Sequence, residues 1–527
     1  MGRHVAGETF LKGYFQHSSA AALWTLVREK SEAEQFAKLA RESGNASAVQ
    51  AFTPDQMRAA STPGTIFYPG PDISELAFQR SFFGANQWSV CGITHTTSSK
   101  SSMDSIASWV TAPLNSWDAV ICPSVAVKKH VDNIFKSEVA RLQRRLGVTK
   151  CPSPQLPVIP LGINTQDFQF SEQQKSNARQ TLNIHPDEIV VLFVGRLSFH
   201  AKSHPLPMYK SLQTVAEETN KRIRLIECGW YANDYTENAY QKAREELCPN
   251  ILVTVLDGRV RENRDLAWAG ADIFCSLADN IQETFGISPI EAMAAGLPLV
   301  VADWDGYKDT VTPDCGYRIP TSMPDPGVGN ELIFRHAVNL DNYDFYCGHT
   351  GIFVGVDIPS CCRAFTALVT DSALRAKMGS AARKRAADFY DWSKIIPVYE
   401  ELWRELNARR NRSPEGGPKA WPARLDPYSA FQHYSTLTLN GATELRRYNN
   451  QVGEETHEIG ALLGLEILAY AHRVLPSRDK LLATLLKTSE SWHTVASLFG
   501  EPLDPETIKA LSILHKGGLI EIKVASR

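Results

Sequence analysis

The first third of the chain alternates short apolar runs with longer amphipathic stretches. Short apolar runs between polar turns are typical of strands, and apolar positions at helical spacing are typical of helices. The predicted strands cover residues 22–27, 65–68, 89–95, 119–122 and 158–161, and the predicted helices cover 31–41 and 124–146. Because strands alternate with helices, this region predicts a parallel sheet covered on both faces.

The alternation restarts at Glu188. Ile189–Val194 is a continuous run dominated by β-branched residues, as found in central strands of parallel sheets. Further strands are predicted at 223–227, 251–255, 273–277 and 299–302. Two successive α/β halves of similar size predict two doubly wound, Rossmann-like domains that face each other across a cleft.

The last quarter of the chain has a different composition. Residues 409–427 are rich in Arg, Pro and Gly, which predicts a linker, and a mostly helical tail follows. The predicted fold class is therefore α/β, with two Rossmann-like domains and a small, mainly helical C-terminal domain. The predicted boundaries are 1–180, 181–410, a linker at 411–428, and 429–527.

Composition narrows the function classes. With 43% apolar residues, the 527-residue chain has enough apolar surface to fold, and its net charge of −3 argues against a nucleic-acid partner. No apolar run is long enough for a membrane span, and the first residues lack a signal-peptide core. The ten cysteines include no CxxC pair, which indicates reduced residues in a cytoplasmic protein.

The first candidate site follows the strand at 189–194. This strand runs into Gly195 and Arg196, and Lys202 comes six residues after Arg196. Glycine followed by cations at the carboxyl edge of a parallel sheet suits a bound anion such as phosphate. The alternative is a solvated basic loop.

The second candidate site is the segment 283–298. Glu283 and Glu291 are eight residues apart and straddle a helix start, with Gly296 as the expected C-terminal cap. Ser288 and Glu291 also fit a capping box, in which Glu291 would only close the helix end. In the functional alternative, amides near Gly286 face an anion and the two carboxylates bind hydroxyl groups. Local physics leaves both interpretations open.

Taken together, these segments resemble the donor-binding domain of retaining GT-B glycosyltransferases of family 4. The same resemblance extends to 159–164 and Phe168 as the interdomain segment, and to 391–392 and 399–403 as the helix that crosses back to the first domain. It covers about residues 1–407 and is strongest from 156 to 310. It implies a nucleotide-sugar donor, UDP- or GDP-linked, and a glycan or lipid-linked acceptor.

The resemblance also implies roles for individual residues. Arg196 and Lys202 would hold the diphosphate after Gly195, and Glu283 would contact sugar hydroxyls. Glu291 would hold the ribose. The remaining implied donor contacts are the backbone of Thr284, Phe285 and Gly286.

Two positions in the first domain complete the implied site. His95 resembles the histidine beside the transferred sugar, and Gly7 resembles the glycine turn before a helix that approaches the diphosphate. Only six residues precede Gly7, whereas the family's fold opens with an apolar strand, so we expect either a start upstream of Met1 or a first domain that lacks this strand. The stretch 320–357 resembles an insertion, which we interpret as surface padding, with a cover over the acceptor as the alternative.

The chemistry implied by the resemblance needs no cofactor. Departure of the diphosphate builds negative charge, which fixed cations and a helix N-terminus can stabilise. No Asp-x-Asp motif occurs in the chain, in agreement with a metal-free site. The family implies retention of configuration by same-face attack. The alternatives are a noncatalytic sugar-nucleotide sensor and another GT-B enzyme such as a sugar-nucleotide epimerase.

Two further regions suggest partners. The segment 124–150 combines seven basic residues with an apolar helical stripe, so it could touch an anionic membrane peripherally, although a stripe facing the core is the favoured interpretation. In the tail, residues 492–523 resemble a winged-helix module. Because few basic residues lie near its second helix, we interpret 429–527 as a module for a protein partner or for packing, and not as a DNA-binding domain.

Overall fold

The apolar runs of the first domain form two small parallel sheets in the computed structural model, which describes residues 2–413, 420–448 and 454–524. β1 and β2 form one sheet, and β3, β4 and β5 form the other. The strands are β1 Ala22–Leu26, β2 Ala48–Phe52, β3 Thr65–Phe67, β4 Ser89–Ile93 and β5 Ala119–Ile121. The helices are α1 Gly2–His17, α2 Lys30–Glu42, α3 Ser74–Ser81, α4 Lys100–Ser108 and α5 Val125–Leu146, with a 3₁₀ segment at Pro54–Ser61.

The strand predicted at 158–161 is wrong. Pro157 and Pro160 lack the amide hydrogens that a ladder needs, so this stretch makes only isolated bridges beside β5, including the one between Cys122 and Val158. The backbone still follows β5, because Ile159 N donates to Cys122 O at 3.1 Å.

One six-stranded sheet forms the centre of the second domain. Its strands are β6 Ile189–Val194, β7 Ile223–Gly229, β8 Leu252–Asp257, β9 Ile273–Ser276, β10 Leu299–Ala302 and β11 Gly316–Ile319. All pairs are parallel, in the order β11-β10-β9-β6-β7-β8. This is the doubly wound order, whose direction of winding reverses between β6 and β9.

Helices cover this sheet and cross back to the first domain. They are α6 Glu172–Thr181, α7 Leu206–Thr219, α8 Asp234–Leu247, α9 Arg261–Gly270, α10 Ile287–Ala295, α11 Tyr307–Thr310, α12 Asn330–Ala337, α13 Tyr343–Gly351, α14 Ile358–Thr370, α15 Ser372–Arg385 and α16 Trp392–Asn411. Short elements are the strands β12 Thr321–Ser322 and β13 Gly355–Val356, the 3₁₀ turn Thr165–Phe168 and the π turn Ala386–Tyr390.

The crossing helix α16 joins the two α/β domains. Trp392, Tyr399 and Trp403 contact Phe10 and Phe67 of the first domain through a cluster of aromatic rings. The two domains therefore share an apolar core around α16, and the predicted arrangement of two α/β domains across a cleft is confirmed.

The apolar stripe of α5 faces the core of the first domain. Val127, Val131 and Leu142 are buried, while the basic residues lie on the exposed face of the helix. The interpretation favoured by the sequence is confirmed for the stripe as far as Leu142, whereas Leu146 in the last turn is exposed. Among the described residues, no helix combines the length and apolar character that a membrane span requires.

The C-terminal unit, Pro422–Arg527, begins inside the predicted linker. Its described helices are α17 Pro427–Ala430, α18 Glu455–Leu463, α19 Glu466–Ala469, α20 Arg478–Leu486, α21 Val495–Phe499 and α22 Pro505–Lys516, with a 3₁₀ turn at Gln432–Tyr434. The strands β14 Glu444–Arg447, β15 His493–Thr494 and β16 Ile520–Ile522 form an antiparallel sheet with β14 in the centre. Asp504 caps α22, and the winged-helix resemblance stays a prediction.

Candidate active site

The loop after β6 lies at the point where the winding of the sheet reverses. Gly195 follows β6 with φ +157°, and a Cβ there would lie 3.3 Å from Cε of Lys202. The loop after β9 faces it, and ligands of open α/β sheets bind in the crevice outside the carboxyl ends of two such strands. The topology therefore places the first candidate site where a ligand is expected.

Both cations of this loop point to the segment after β9. Lys202 Nζ lies 2.5 Å from Glu283 Oε2, and their side chains are 23% and 12% exposed. Arg196 Nη2 donates to Gln282 Oε1 at 2.8 Å and to Ala201 O at 3.2 Å. The two candidate sites of the sequence are thus one site.

Glu283 is held in its ionised form. Burial raises the pKa of this carboxyl, but the charge and hydrogen bond of Lys202 and the amides of Thr284 and Phe285 lower it further, so the net shift is downward. An ionised carboxylate accepts hydrogen bonds from hydroxyl groups, and it also holds the Lys202 ammonium at a defined position.

Glu291 differs from Glu283 in its surroundings. It lies on α10, partly buried, and its carboxylate makes no hydrogen bond within the part of the chain that the structure describes. Burial raises its pKa to about 7, and the charges of Arg264 and Lys202 offset only part of this effect. Glu291 is therefore a carboxylate with free acceptor capacity beside the cations.

The predicted capping box at Ser288 is wrong. The helix α10 begins at Ile287 after Gly286, and no side chain caps it among the described residues, so Glu291 is not a capping residue here. Gly286 has φ +83°, and a Cβ at this position would lie 2.0 Å from the ring of Tyr307. Glycine is therefore required by both the backbone and the neighbouring ring. The predicted C-terminal cap at Gly296 is confirmed.

His95 meets the same segment from the first domain. It lies two residues after β4, and its carbonyl oxygen accepts a hydrogen bond of 2.7 Å from Thr284 Oγ1. The carbonyl oxygen of Thr284 in turn accepts from Ser124 Oγ at 2.8 Å. Phe285 is buried against Tyr390, which fixes this segment from behind.

Gly7 does not form the predicted turn. It lies inside the continuous helix α1, and no strand precedes it among the described residues. The prediction was wrong because a single glycine before a helical pattern is a common motif. The helix α1 continues through Gly7 and packs on α16. The structure therefore brings together Gly195, Arg196, Lys202, Glu283, Glu291 and His95, and leaves Gly7 in a helix.

Several polar residues of the site carry no signal in the sequence. Gln282 binds Arg196, and Asn280 binds the carbonyl oxygen of His200 through Nδ2 at 2.8 Å. Asp279 accepts from the amide of His204, and burial raises its pKa to about 7, partly offset by this bond. All three residues lie directly after β9, so their position after a strand is the one feature that could have indicated them.

The sequence and the fold were compared with known proteins. The family model of glycosyl transferases group 1 matches residues 174–325, which is less than half of the chain. The second α/β domain is therefore similar to glycosyl transferases group 1 over the matched residues, in agreement with the resemblance to glycosyltransferases found in the sequence.

Individual relatives agree with this match. A glycosyltransferase of Methanocaldococcus jannaschii is 27% identical over 248 residues, covering 44% of this chain and 57% of that protein. A D-inositol 3-phosphate glycosyltransferase of Stackebrandtia nassauensis is 25% identical and covers 50% and 51%, respectively. A lipopolysaccharide 1,2-N-acetylglucosaminetransferase of Salmonella typhimurium is 25% identical and covers 40% and 58%. The chain thus spans between half and three-fifths of the length of these relatives.

This chain is also similar to a solved structure. The structure of Anabaena HepE in complex with UDP and glucose is 16% identical, with a TM-score of 0.49, and covers 77% of this chain and 96% of that chain.

Proposed function

We propose that this protein is a glycosyltransferase that moves a sugar from a nucleotide-sugar donor to an acceptor hydroxyl. The observation that carries the proposal is the meeting of Arg196, Lys202, Glu283 and Glu291 at the crevice between β6 and β9, opposite His95. The match of residues 174–325 to glycosyl transferases group 1 supports it.

The cations suit the diphosphate of the donor. Arg196 offers a planar fork of donors to phosphate oxygens, and Lys202 acts as a compact charge. The amides of Phe285 and Gly286 precede the N-terminus of α10, where the helix dipole also favours an anion. This arrangement stabilises the charge that develops on the leaving nucleotide.

The two carboxylates suit hydroxyl groups at opposite ends of the donor. Glu283, ionised and anchored by Lys202, would accept from hydroxyls of the transferred sugar. Glu291, which has free acceptor capacity, would accept from the two ribose hydroxyls. His95 would lie beside the transferred sugar on the side of the first domain.

The reaction we propose proceeds with retention and without a metal ion. The sugar would leave as an oxocarbenium-like species, and the acceptor hydroxyl would attack from the face that the diphosphate leaves, with a phosphate oxygen accepting the proton. The acceptor class stays broad, a glycan, a glycolipid or another polysaccharide precursor, because the relatives' names differ in what they glycosylate.

A donor screen tests the proposal. We expect one class of UDP- or GDP-sugar to raise the melting temperature of the protein, and the same donor to release nucleoside diphosphate when acceptors are added in EDTA. Binding without turnover on any acceptor would favour a sugar-nucleotide sensor. Sugar interconversion without acceptor would favour an epimerase, and turnover that is lost in EDTA and restored by Mg²⁺ would contradict metal independence.

We also propose that the segment 124–150 contacts an anionic membrane, and that it does so through its exposed basic face. Arg144 and Arg145 lie in the last turn of α5 and are exposed. Co-sedimentation with vesicles that contain anionic lipids, compared between the wild type and the double variant Arg144→Glu and Arg145→Glu, measures this contact. Binding that is equal in both proteins would exclude it.

A further inference from the structure

The insertion 320–357 is not surface padding. Its helices α12 and α13 form a hairpin that is braced from inside by Asp341, which accepts two hydrogen bonds of 2.9 Å from Arg335 and one of 3.0 Å from His349. The carboxyl of Asp341 is 4% exposed, and the bond to Arg335 holds its pKa low, at about 2. Because these hydrogen bonds hold the two helices together, the other residues of the hairpin have defined positions.

The hairpin packs on the loop that carries the two cations. A Cβ at Gly348 of α13 would lie 2.8 Å from Cβ of His200, which stands between Arg196 and Lys202 in the chain. Cys347 is buried beside it, and burial raises the pKa of its thiol to about 11, while hydrogen bonds to Tyr343 and Ser98 and the charge of Arg196 offset part of the shift.

The same helix also reaches the first domain. The Tyr343 hydroxyl lies 2.9 Å from Thr96 Oγ1 and 3.0 Å from Ser98 Oγ. These residues follow His95 directly, and the carbonyl oxygen of His95 is bound by Thr284. The short loop 95–98 is thus held at one end by Thr284 and at the other by Tyr343, both from the second domain.

We infer that Tyr343 is a positioning residue, whose hydroxyl holds the loop 95–98 so that His95 faces Glu283 and Thr284 across the cleft. This inference rests on the proposed function for its catalytic consequence. The hydroxyl acts through the loop, because its partners are Thr96 and Ser98 of the loop and Cys347 of its own helix, and not the cations themselves. The insertion therefore contributes to the site by linking the two domains.

The variant Tyr343→Phe removes only this hydroxyl. We expect kcat to fall about fivefold to tenfold when the hydrogen bonds of this hydroxyl to the loop are lost, while the donor KM changes by less than about twofold. The matched control is Tyr346→Phe on the same helix. Tyr346 stacks on His336 with ring centroids 4.4 Å apart, and its hydroxyl makes no hydrogen bond among the described residues.

A double-mutant cycle separates positioning from general stability. In the background His95→Ala, the change Tyr343→Phe should have almost no further effect on kcat, because the group that it positions is gone. The double variant Thr96→Val and Ser98→Ala should show the same loss of kcat. In that background, Tyr343→Phe should have almost no further effect on kcat. A full loss that persists in His95→Ala would overturn the inference, as would equal kcat in Tyr343→Phe and Tyr346→Phe.

Hydrogen exchange gives a readout that does not depend on turnover. A peptide that covers the loop 95–98 should exchange its amides faster in Tyr343→Phe than in the wild type, and at the wild-type rate in Tyr346→Phe. Unchanged exchange in both variants would overturn the inference. If the wild type turns over no nucleotide sugar, the proposed function fails, and the exchange experiment still decides whether Tyr343 holds the loop.

Discussion

The second α/β domain has one continuous six-stranded sheet, whereas the first divides its five strands between two sheets. In the second domain, neighbouring strands are paired in register along the whole sheet, so the loops after β6 and β9 have fixed positions relative to each other. In the first domain, the small sheets need other contacts to fix their loops. The comparison teaches that the cations of the site are placed by the sheet, and His95 by contacts outside it.

A buried ion pair supplies much of the missing support in the first domain. Arg80 donates to both carboxylate oxygens of Asp118 at 2.6 and 2.8 Å, and both side chains are fully buried. Asp118 also accepts from the amides of Val90 in β4 and Asn115. One carboxylate thus ties a helix, a strand and a loop together where the sheet does not.

The largest effect is expected from Asp118→Ala. The change leaves the Arg80 guanidinium buried without its anion, so the free energy of unfolding should fall by about 3–5 kcal/mol. Denaturant unfolding followed by tryptophan fluorescence measures the loss. Nucleoside diphosphate should still bind to the second domain under conditions in which the variant is folded. Loss of that binding in the folded variant would contradict the placement of the cations by the second sheet.

The next effect concerns the cations that the second sheet places. Lys202→Ala should lower kcat by about 10²–10³, equivalent to about 2.7–4 kcal/mol, because a preorganised charge at the leaving group is lost. Arg196→Ala should behave in the same way, and neither change should lower the melting temperature by more than a few degrees. Steady-state kinetics with the donor found in the screen provides the measurement.

Lys210→Ala is the control for these variants. Lys210 is an exposed residue of α7 in the same domain, away from the crevice, so its removal should leave kcat unchanged. Near-normal turnover in both Arg196→Ala and Lys202→Ala would contradict the assignment of the diphosphate site.

A smaller effect is expected for Glu291→Gln. A charged acceptor forms hydrogen bonds about twice as strong as a neutral one, so nucleoside diphosphate should bind about tenfold more weakly, a loss of about 1–2 kcal/mol. Because burial raises the pKa of Glu291 to about 7, the wild-type affinity should rise as pH increases through this value, while the variant should lack this component. Calorimetry at a series of pH values measures both the loss of affinity in the variant and the pH dependence of the wild-type affinity.

The stability of the unliganded protein depends on pH with the opposite sign to its nucleotide affinity. The folded-state pKa of Glu291 lies above its ordinary value of 4.5, so the stability gained from the neutral carboxyl is complete below 4.5 and is lost as pH rises through about 7. The stability advantage of the variant over the wild type should therefore begin above about pH 4.5 and be complete above about pH 7. Equal nucleotide affinity in both proteins would remove Glu291 from the site.

The smallest effect is expected from Glu34→Ala in the first domain. Its pair with Lys30 spans 3.8 Å, and the side chains are 70% and 90% exposed, respectively. Water screens such pairs, so the free energy of unfolding should change by less than about 1 kcal/mol. If Glu34→Ala and Asp118→Ala had equal unfolding midpoints, the buried ion pair would not be the support of the first domain.

The sequence by itself determined five of the six strands of the second sheet and the charged residues Arg196, Lys202, Glu283 and Glu291 of the site. The predicted bounds of β6 and β10 are those of the structure, because continuous apolar runs between turn residues leave few other conformations. That Arg196 and Lys202 share a site with Glu283 was implied by the family resemblance and not by local physics, and the structure places these side chains together.

Tertiary structure decided where α10 begins, where Gly7 lies and what Tyr343 contacts, which the local residue types could not determine. Gly286, not Ser288, precedes α10, because the ring of Tyr307 leaves no space for a side chain there. Gly7 lies in a helix, because α1 packs on the aromatic residues of α16, nearly 400 positions away in the chain. Tyr343 meets Thr96 across 247 positions, and hydrogen bonds between such distant residues leave no periodicity in the sequence from which they could be predicted.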